Sequence, residues 1–181
     1  MKTLALFRHA KSDWSDAHAR DFDRPLNARG IRGAAAMGRY VHDQGWRFDR
    51  VIASPAVRVA ETIEIASEPW GRTFPVEWDR RIYLASSEML IDLLKELPGD
   101  PAALLMVGHN PGLEDLIFDL VPDNGTSPLR AIVEAKFPTA TFAVLECAID
   151  HWADIAPGCA RLTTLVRPRD LDPALGPEFP D

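Results

Sequence analysis

Two cysteines in 181 residues, Cys147 and Cys159, are too few to staple a fold, and neither sits in a Cys-x-x-Cys pair or a His-rich cluster. They are expected to be reduced and packed, with no disulfide and no metal role. No apolar run approaches the roughly 20 residues of a membrane span. Met1-Lys2-Thr3 leads straight into residues 4–7 with no signal-peptide core, so the expected location is cytoplasmic, with no membrane partner. A Gly-x-Gly-x-x-Gly turn after the first apolar run is missing, which removes a dinucleotide-binding reading. Internal repeats are absent. Basic excess is absent too: 20 Lys and Arg face 27 Asp and Glu, net −7. A general nucleic-acid binder would show a broad basic face, so no nucleic-acid partner is expected.

Hydrophobic residues make up 46% and charged residues 26%, the balance of a globular chain with one core. The charge is uneven. Residues 1–60 hold 11 Lys and Arg against 6 Asp and Glu, whereas the remainder holds 9 against 21. A cationic first third in an acidic protein suits a local anion site. Short apolar runs at 4–7, 48–53, 73–78 and 102–107 read as strands, and helical periodicity follows most of them. Asn27 is an expected N-cap, as are Ser54, Ser86 or Ser87, and Asn110, with Pro55 and Pro111 at first helical turns and Gly45 as a stop. Residues 139–148 and 158–167 read as an antiparallel hairpin. The expected fold is three-layer α/β/α, a mostly parallel central sheet with an antiparallel C-terminal edge. Residues 1–167 form the domain, and the Pro-rich tail 168–181 is expected to be extended or disordered.

Parallel strands ending near residues 7, 53 and 107 would bring Arg8 and His9, Ser54 to Arg58, and Gly108 to Asn110 to one sheet edge, where such folds bind ligands. Two of these junctions open helices, whose free N–H groups favour an anion. Arg8 and Arg58 can hold a phosphoryl group as forks. His9, at the end of the central strand, is the expected nucleophile, its other ring nitrogen donating to a carbonyl or carboxylate. His109 is the expected donor to the phosphoryl oxygens. No metal or other cofactor is demanded.

Arg8-His9-Ala10, Ser54-Pro55-x-x-Arg58-x-x-x-Thr62 and Gly108-His109-Asn110-Pro111 resemble the histidine phosphatase superfamily, with Ala10 in place of the glycine of its Arg-His-Gly (RHG) motif. Arg8-His9-Ala10-Lys11-Ser12, Arg24-Pro25-Leu26-Asn27-x-Arg29-Gly30 and Tyr83-x-Ala85-Ser86 are similar to its short phosphohistidine phosphatases of SixA type. The resemblance spans about residues 2–120. It implies a phosphoglycerate mutase-like fold, a phosphohistidine intermediate on His9, and a phosphate pocket of Arg8, Arg58 and His109. Larger relatives carry a carboxylic acid on an insertion that this chain lacks. Glu88 is the tentative equivalent, with Asp79 the alternative, and Glu88 reads equally well as a helix-dipole carboxylate.

An alkoxide leaving group needs such an acid, and imidazole leaving from phosphohistidine needs it far less. The expected partner is therefore a phosphoprotein, such as the phosphotransfer domain of a relay. A small phosphorylated substrate is the alternative, and a non-catalytic phosphate- or phosphoprotein-binding module is the rival from another class. Trp14 and Ser12, in the loop after His9, are placed near the pocket or in loop packing. Arg24 and Arg29 either reach the site or pair with Asp21 and Asp23.

Overall fold

Residues 4–7 alternate between two cores. Leu4 and Leu6 pack into one buried cluster, Ala5 and Phe7 into another, so this strand is covered on both faces. That is why it reads as a continuous apolar run. The computed structural model describes residues 1–70 and 75–177. Its strands are β1 (Lys2–Arg8), β2 (Arg50–Ala53), β3 (Val76–Trp78), β4 (Ala103–Gly108), β5 (Phe142–Cys147) and β6 (Ala160–Val166), and the sheet order is β3-β2-β4-β1-β5-β6. The first four run parallel, while β5 is antiparallel to β1 and β6 to β5. The fold is thus the expected α/β architecture with an antiparallel edge. Residues 73 and 74 of the expected third strand lie outside the described residues.

Helices α1 (Ala28–Asp43) and α2 (Val57–Ser67) cover one face, burying Ala34, Met37, Val41 and Val59 against Phe7, Val51 and Val107. Helices α3 (Ser87–Lys95), α4 (Gly112–Leu120) and α5 (Pro128–Ala135) cover the other, with Leu90, Leu94, Leu116 and Val133 in the cluster around Leu4, Leu6 and Met106. Each such leucine, fully buried, contributes about 1.5–3 kcal/mol. Asn27 caps α1 by accepting from Gly30 N at 2.8 Å, and Ser86 caps α3 by accepting from Met89 N at 3.3 Å. Gly45, at φ +75°, follows α1 in the left-handed conformation that a glycine stop adopts. Both thiols are free, Cys147 buried and Cys159 half-buried.

Four expectations need correction. Ser54 does not cap α2, whose N-cap is Ala56, and Asn110 does not cap α4, whose N-cap is Pro111. Both side chains are engaged elsewhere, as described below. Helix α5 is not legible in the sequence, because its eight residues are too few for a clear period. The tail is not extended at its start: Pro168–Leu171 form a short helix, α6, and Pro173–Leu175 a 3-10 turn, both packed on α1. Asp170 accepts from Arg167 N at 2.8 Å and pairs with the Arg167 guanidinium, satisfying the first turn that Pro168 opens.

Candidate active site

The carboxyl ends of β1, β2 and β4 open into a crevice of about 710 Å³. His9 leaves β1 with its N–H on Gly108 O and its carbonyl accepting from Ala140 N, so the strand ladder continues through the residue and fixes its Cα. Ala10 N donates to Thr62 Oγ1 at 2.9 Å, and Thr62 Oγ1 donates to Arg58 O at 2.6 Å. A buried threonine one turn beyond Arg58 thereby ties α2 to the residue after His9. Close packing finishes the loop. A Cβ on Gly30 would stand 2.1 Å from Lys11 O, so only glycine lets α1 approach this segment.

His9 is buried, and its Nδ1 lies 2.7 Å from Ala10 O. A carbonyl can only accept, so Nδ1 carries the proton and Nε2 presents a lone pair. Arg58 Nε donates to that nitrogen at 3.4 Å. Arg58 Nη2 also donates to His109 Nδ1 at 3.3 Å, so His109 carries its proton on Nε2, 2.7 Å from Ser54 Oγ. The two imidazoles lie 5.2 Å apart between centroids. Burial chiefly, then the charges of Arg58 and Arg8, push His9 down to about 4. Burial again, then His9 and Arg58, push His109 down to about 3. Both rings are neutral near pH 7. Arg8 is half-buried, its Nη1 donating to Phe137 O at 2.8 Å, and burial chiefly lowers its pKa.

The structure assembles Arg8, His9, Arg58 and His109, from three junctions, as expected. Glu88 is not brought in. It is exposed in the first turn of α3 and is not among the residues that line the crevice. Asp79 caps the 3-10 turn at Arg80–Ile82 and is bound through both oxygens by Arg81, which holds its carboxyl below the ordinary range. Neither expected acid stands beside His9. Among the described residues the carboxylate that lines the crevice is Asp21, which sequence reasoning did not single out. Asp21 Oδ2 accepts from Tyr83 Oη at 2.6 Å and from Arg58 Nη2 at 3.1 Å, and its carbonyl accepts from Arg58 Nη1 at 2.7 Å. The Tyr83 hydroxyl chiefly, with Arg58, lowers the Asp21 pKa, so the group is an ionised orienter of Arg58. Tyr83 meets His109 edge-on at 5.4 Å between ring centroids.

Ser54 is fully buried and Asn110 donates to Phe137 O at 3.0 Å and to Glu114 Oε2 at 3.2 Å. Ser12 and Trp14 both line the crevice. Arg24 neither reaches the site nor pairs with Asp21 or Asp23. It stacks over Trp14 at 4.1 Å and donates to the carbonyls of Asp16 and Ala19, folding the loop on itself. Asp23 pairs instead with Arg20. Arg29 lines the crevice and donates to Ala174 O at 3.1 Å. Among the described residues no three His, Cys, Asp or Glu side chains stand close enough to hold a metal ion, and no helix is long and apolar enough to cross a membrane.

Comparison with known proteins agrees with this geometry. The sequence profile of the Histidine phosphatase superfamily (branch 1) matches residues 4–83. An uncharacterized protein of Mycobacterium tuberculosis is 37% identical over 163 residues, covering 90% of this chain and 99% of that one. A structure from Nakamurella multipartitia, given the name phosphohistidine phosphatase SixA, superposes with a TM-score of 0.79 at 27% identity, over 92% of this chain and 96% of that one. Another given that name, from Agrobacterium tumefaciens, superposes at 0.76 with 26% identity, over 91% and 97%. With the Arg8-His9 pair at the end of β1 and this kinship along nearly its whole length, the chain belongs to the histidine phosphatase superfamily.

Proposed function

We propose that the protein is a phosphatase working through a phosphohistidine on His9, with phosphohistidine on a protein as its substrate. One observation carries the reading: the Ala10 carbonyl holds the His9 proton on Nδ1, so the neutral ring aims a lone pair at the centre of a cationic crevice. His9 Nε2 attacks phosphorus as the P–N bond of the substrate breaks opposite it, and the substrate imidazole departs with the bonding pair. Water then attacks the phosphoryl group on His9, releasing inorganic phosphate and restoring Nε2. Arg8 and Arg58 bind the equatorial oxygens, where their charge matters most. Arg58 must turn from His9 and His109 toward the phosphoryl group, and Asp21 keeps its remaining donors occupied while it does so. For His109 to donate from Nδ1, its proton must leave Nε2. Ser54 Oγ can then donate to Nε2 in turn, since a hydroxyl serves either way.

The choice of substrate rests on the carboxylates. Asp21 is ionised and bound, neither Glu88 nor Asp79 reaches His9, and Glu114 is held by Asn110 outside the crevice lining, so among the described residues no acid lines the crevice ready for an alkoxide. Exchange of one imidazole for another needs none, because the departing ring can take its proton from water at its distal nitrogen. The test is a metal-free assay on a phosphohistidine protein and on an aryl phosphate, with His9→Ala as control. Rapid loss of phosphohistidine with slow aryl phosphate turnover, both abolished by the substitution, supports the proposal. Equal or better aryl phosphate turnover moves the enzyme to small phosphomonoesters, and phosphate binding without turnover leaves a binding module.

A further inference from the structure

Among the described residues six cations line the crevice, Arg8, Lys11, Arg29, Arg58, Lys136 and Arg169, with Asp21 as the carboxylate beside them. This happens in a chain of net charge −7. Arg8 and Arg58 serve the phosphoryl group, and Asp21 is already bound to Arg58 and Tyr83. The other four cations stand outside that centre and come from four segments: the loop after β1, the first turn of α1, the end of α5 and α6. Elsewhere arginines sit beside carboxylates, as in Arg50–Glu77, Arg81–Asp79, Arg130–Glu134 and Arg161–Glu146. No described carboxylate lies within ion-pair distance of Lys11 or Lys136, and the Asp170 carboxylate near Arg169 is already paired with Arg167. Like charges gathered at one mouth repel, and an anion placed among them relieves the repulsion.

The rim is also built. Pro168 is buried near Gly33 of α1, the Arg167–Asp170 pair closes the α6 turn, and Arg29 holds the following turn through Ala174 O. The segment expected to be loose is therefore a wall of the crevice that carries Arg169.

Resting on the phosphatase reading above, we infer that the outer crevice is a second anion subsite. Its substrate carries, beside the transferred phosphoryl group, a further carboxylate or phosphate met by Arg169, Lys136 and Lys11. On a phosphoprotein this is an acidic side chain flanking the phosphohistidine; on a small molecule it is a second anionic group. Two pairs of substrates separate the sources: phosphohistidine peptides with acidic or with amide flanks, and an aryl phosphate with or without a ring carboxylate.

In the wild-type protein the anionic member of at least one pair is expected to have a lower KM, the advantage shrinking as salt is raised past about 0.15 M. The ratio of KM values is expected to fall about threefold to fivefold in Arg169→Gln, and to invert in the exposed-site variant Lys136→Glu. Binding of the same peptides to His9→Ala gives that ratio as dissociation constants, so a failure of catalysis leaves the subsite measurable. Equal affinity for the anionic and neutral members of both pairs, or a preference untouched by both variants, overturns the inference. Loss of turnover with the preference intact in binding overturns only the phosphatase reading.

Discussion

Acidification from pH 7 to 4.5 is expected to destabilise the fold through two buried rings. His9 and His109 are pushed from the ordinary 6.5 to about 4 and about 3, chiefly by burial. Because the unfolded chain protonates both near 6.5 and the folded chain keeps them neutral, the unfolded state binds more protons in this window. Their contribution is complete above pH 6.5 and is lost as pH falls toward 4 and 3. At about 1.4 kcal/mol per unit, the two units between 6.5 and 4.5 come to about 2.5 kcal/mol per histidine, and about 5 kcal/mol jointly. That is a large part of the stability of a typical domain. The carboxylates held low in the fold, Asp21, Asp79 and Asp100 among them, lose their own contribution only below the ordinary 3.8, so the higher window belongs to the histidines. Urea midpoints at pH 7, 6, 5 and 4.5 measure it, with a His9→Asn, His109→Gln double variant as reference. A flat wild-type profile, or an equal fall in the double variant, would refute the reasoning.

Asp21→Asn removes the charge that holds Arg58 and Tyr83, and kcat on the phosphohistidine substrate is expected to drop about tenfold to hundredfold with KM little changed, since a charged hydrogen bond contributes about 1.5–3 kcal/mol; steady-state kinetics beside Tyr83→Phe check it. Ser54→Ala strands the buried His109 Nε2–H without its acceptor, and denaturant titration should show a loss of about 1–3 kcal/mol along with reduced turnover. Gly30→Ala forces a methyl onto Lys11 O, 2.1 Å from the built Cβ. Relief of that clash must move backbone, so a stability loss of about 1–3 kcal/mol or more is expected in thermal or urea unfolding.

Much of this protein is local and therefore readable from sequence alone. The run at 4–7 alternates between two cores, which is why it is apolar throughout, and Asn27, Ser86 and Gly45 satisfy helix ends within a few residues of themselves. Arg8-His9, Arg58 and His109 stand at strand ends whose parallel order then follows from strand–helix alternation. What the sequence could not state is which distant groups share a hydrogen bond. Asp21 meets Arg58 across 37 positions and Tyr83 across 62, and no spacing rule reports such a pair. Ser54 carries the signature of a cap, yet His109, 55 residues away, takes its hydroxyl. Glu88 stands in the order expected of an acid, but α3 turns it to solvent. The tail looks unfit for regular structure because prolines cannot donate, although two prolines at first helical turns need no donor once α1 offers a surface to pack on. Residue type and local pattern decided which chemistry was present; packing decided which groups face it, and so the charge of its rim.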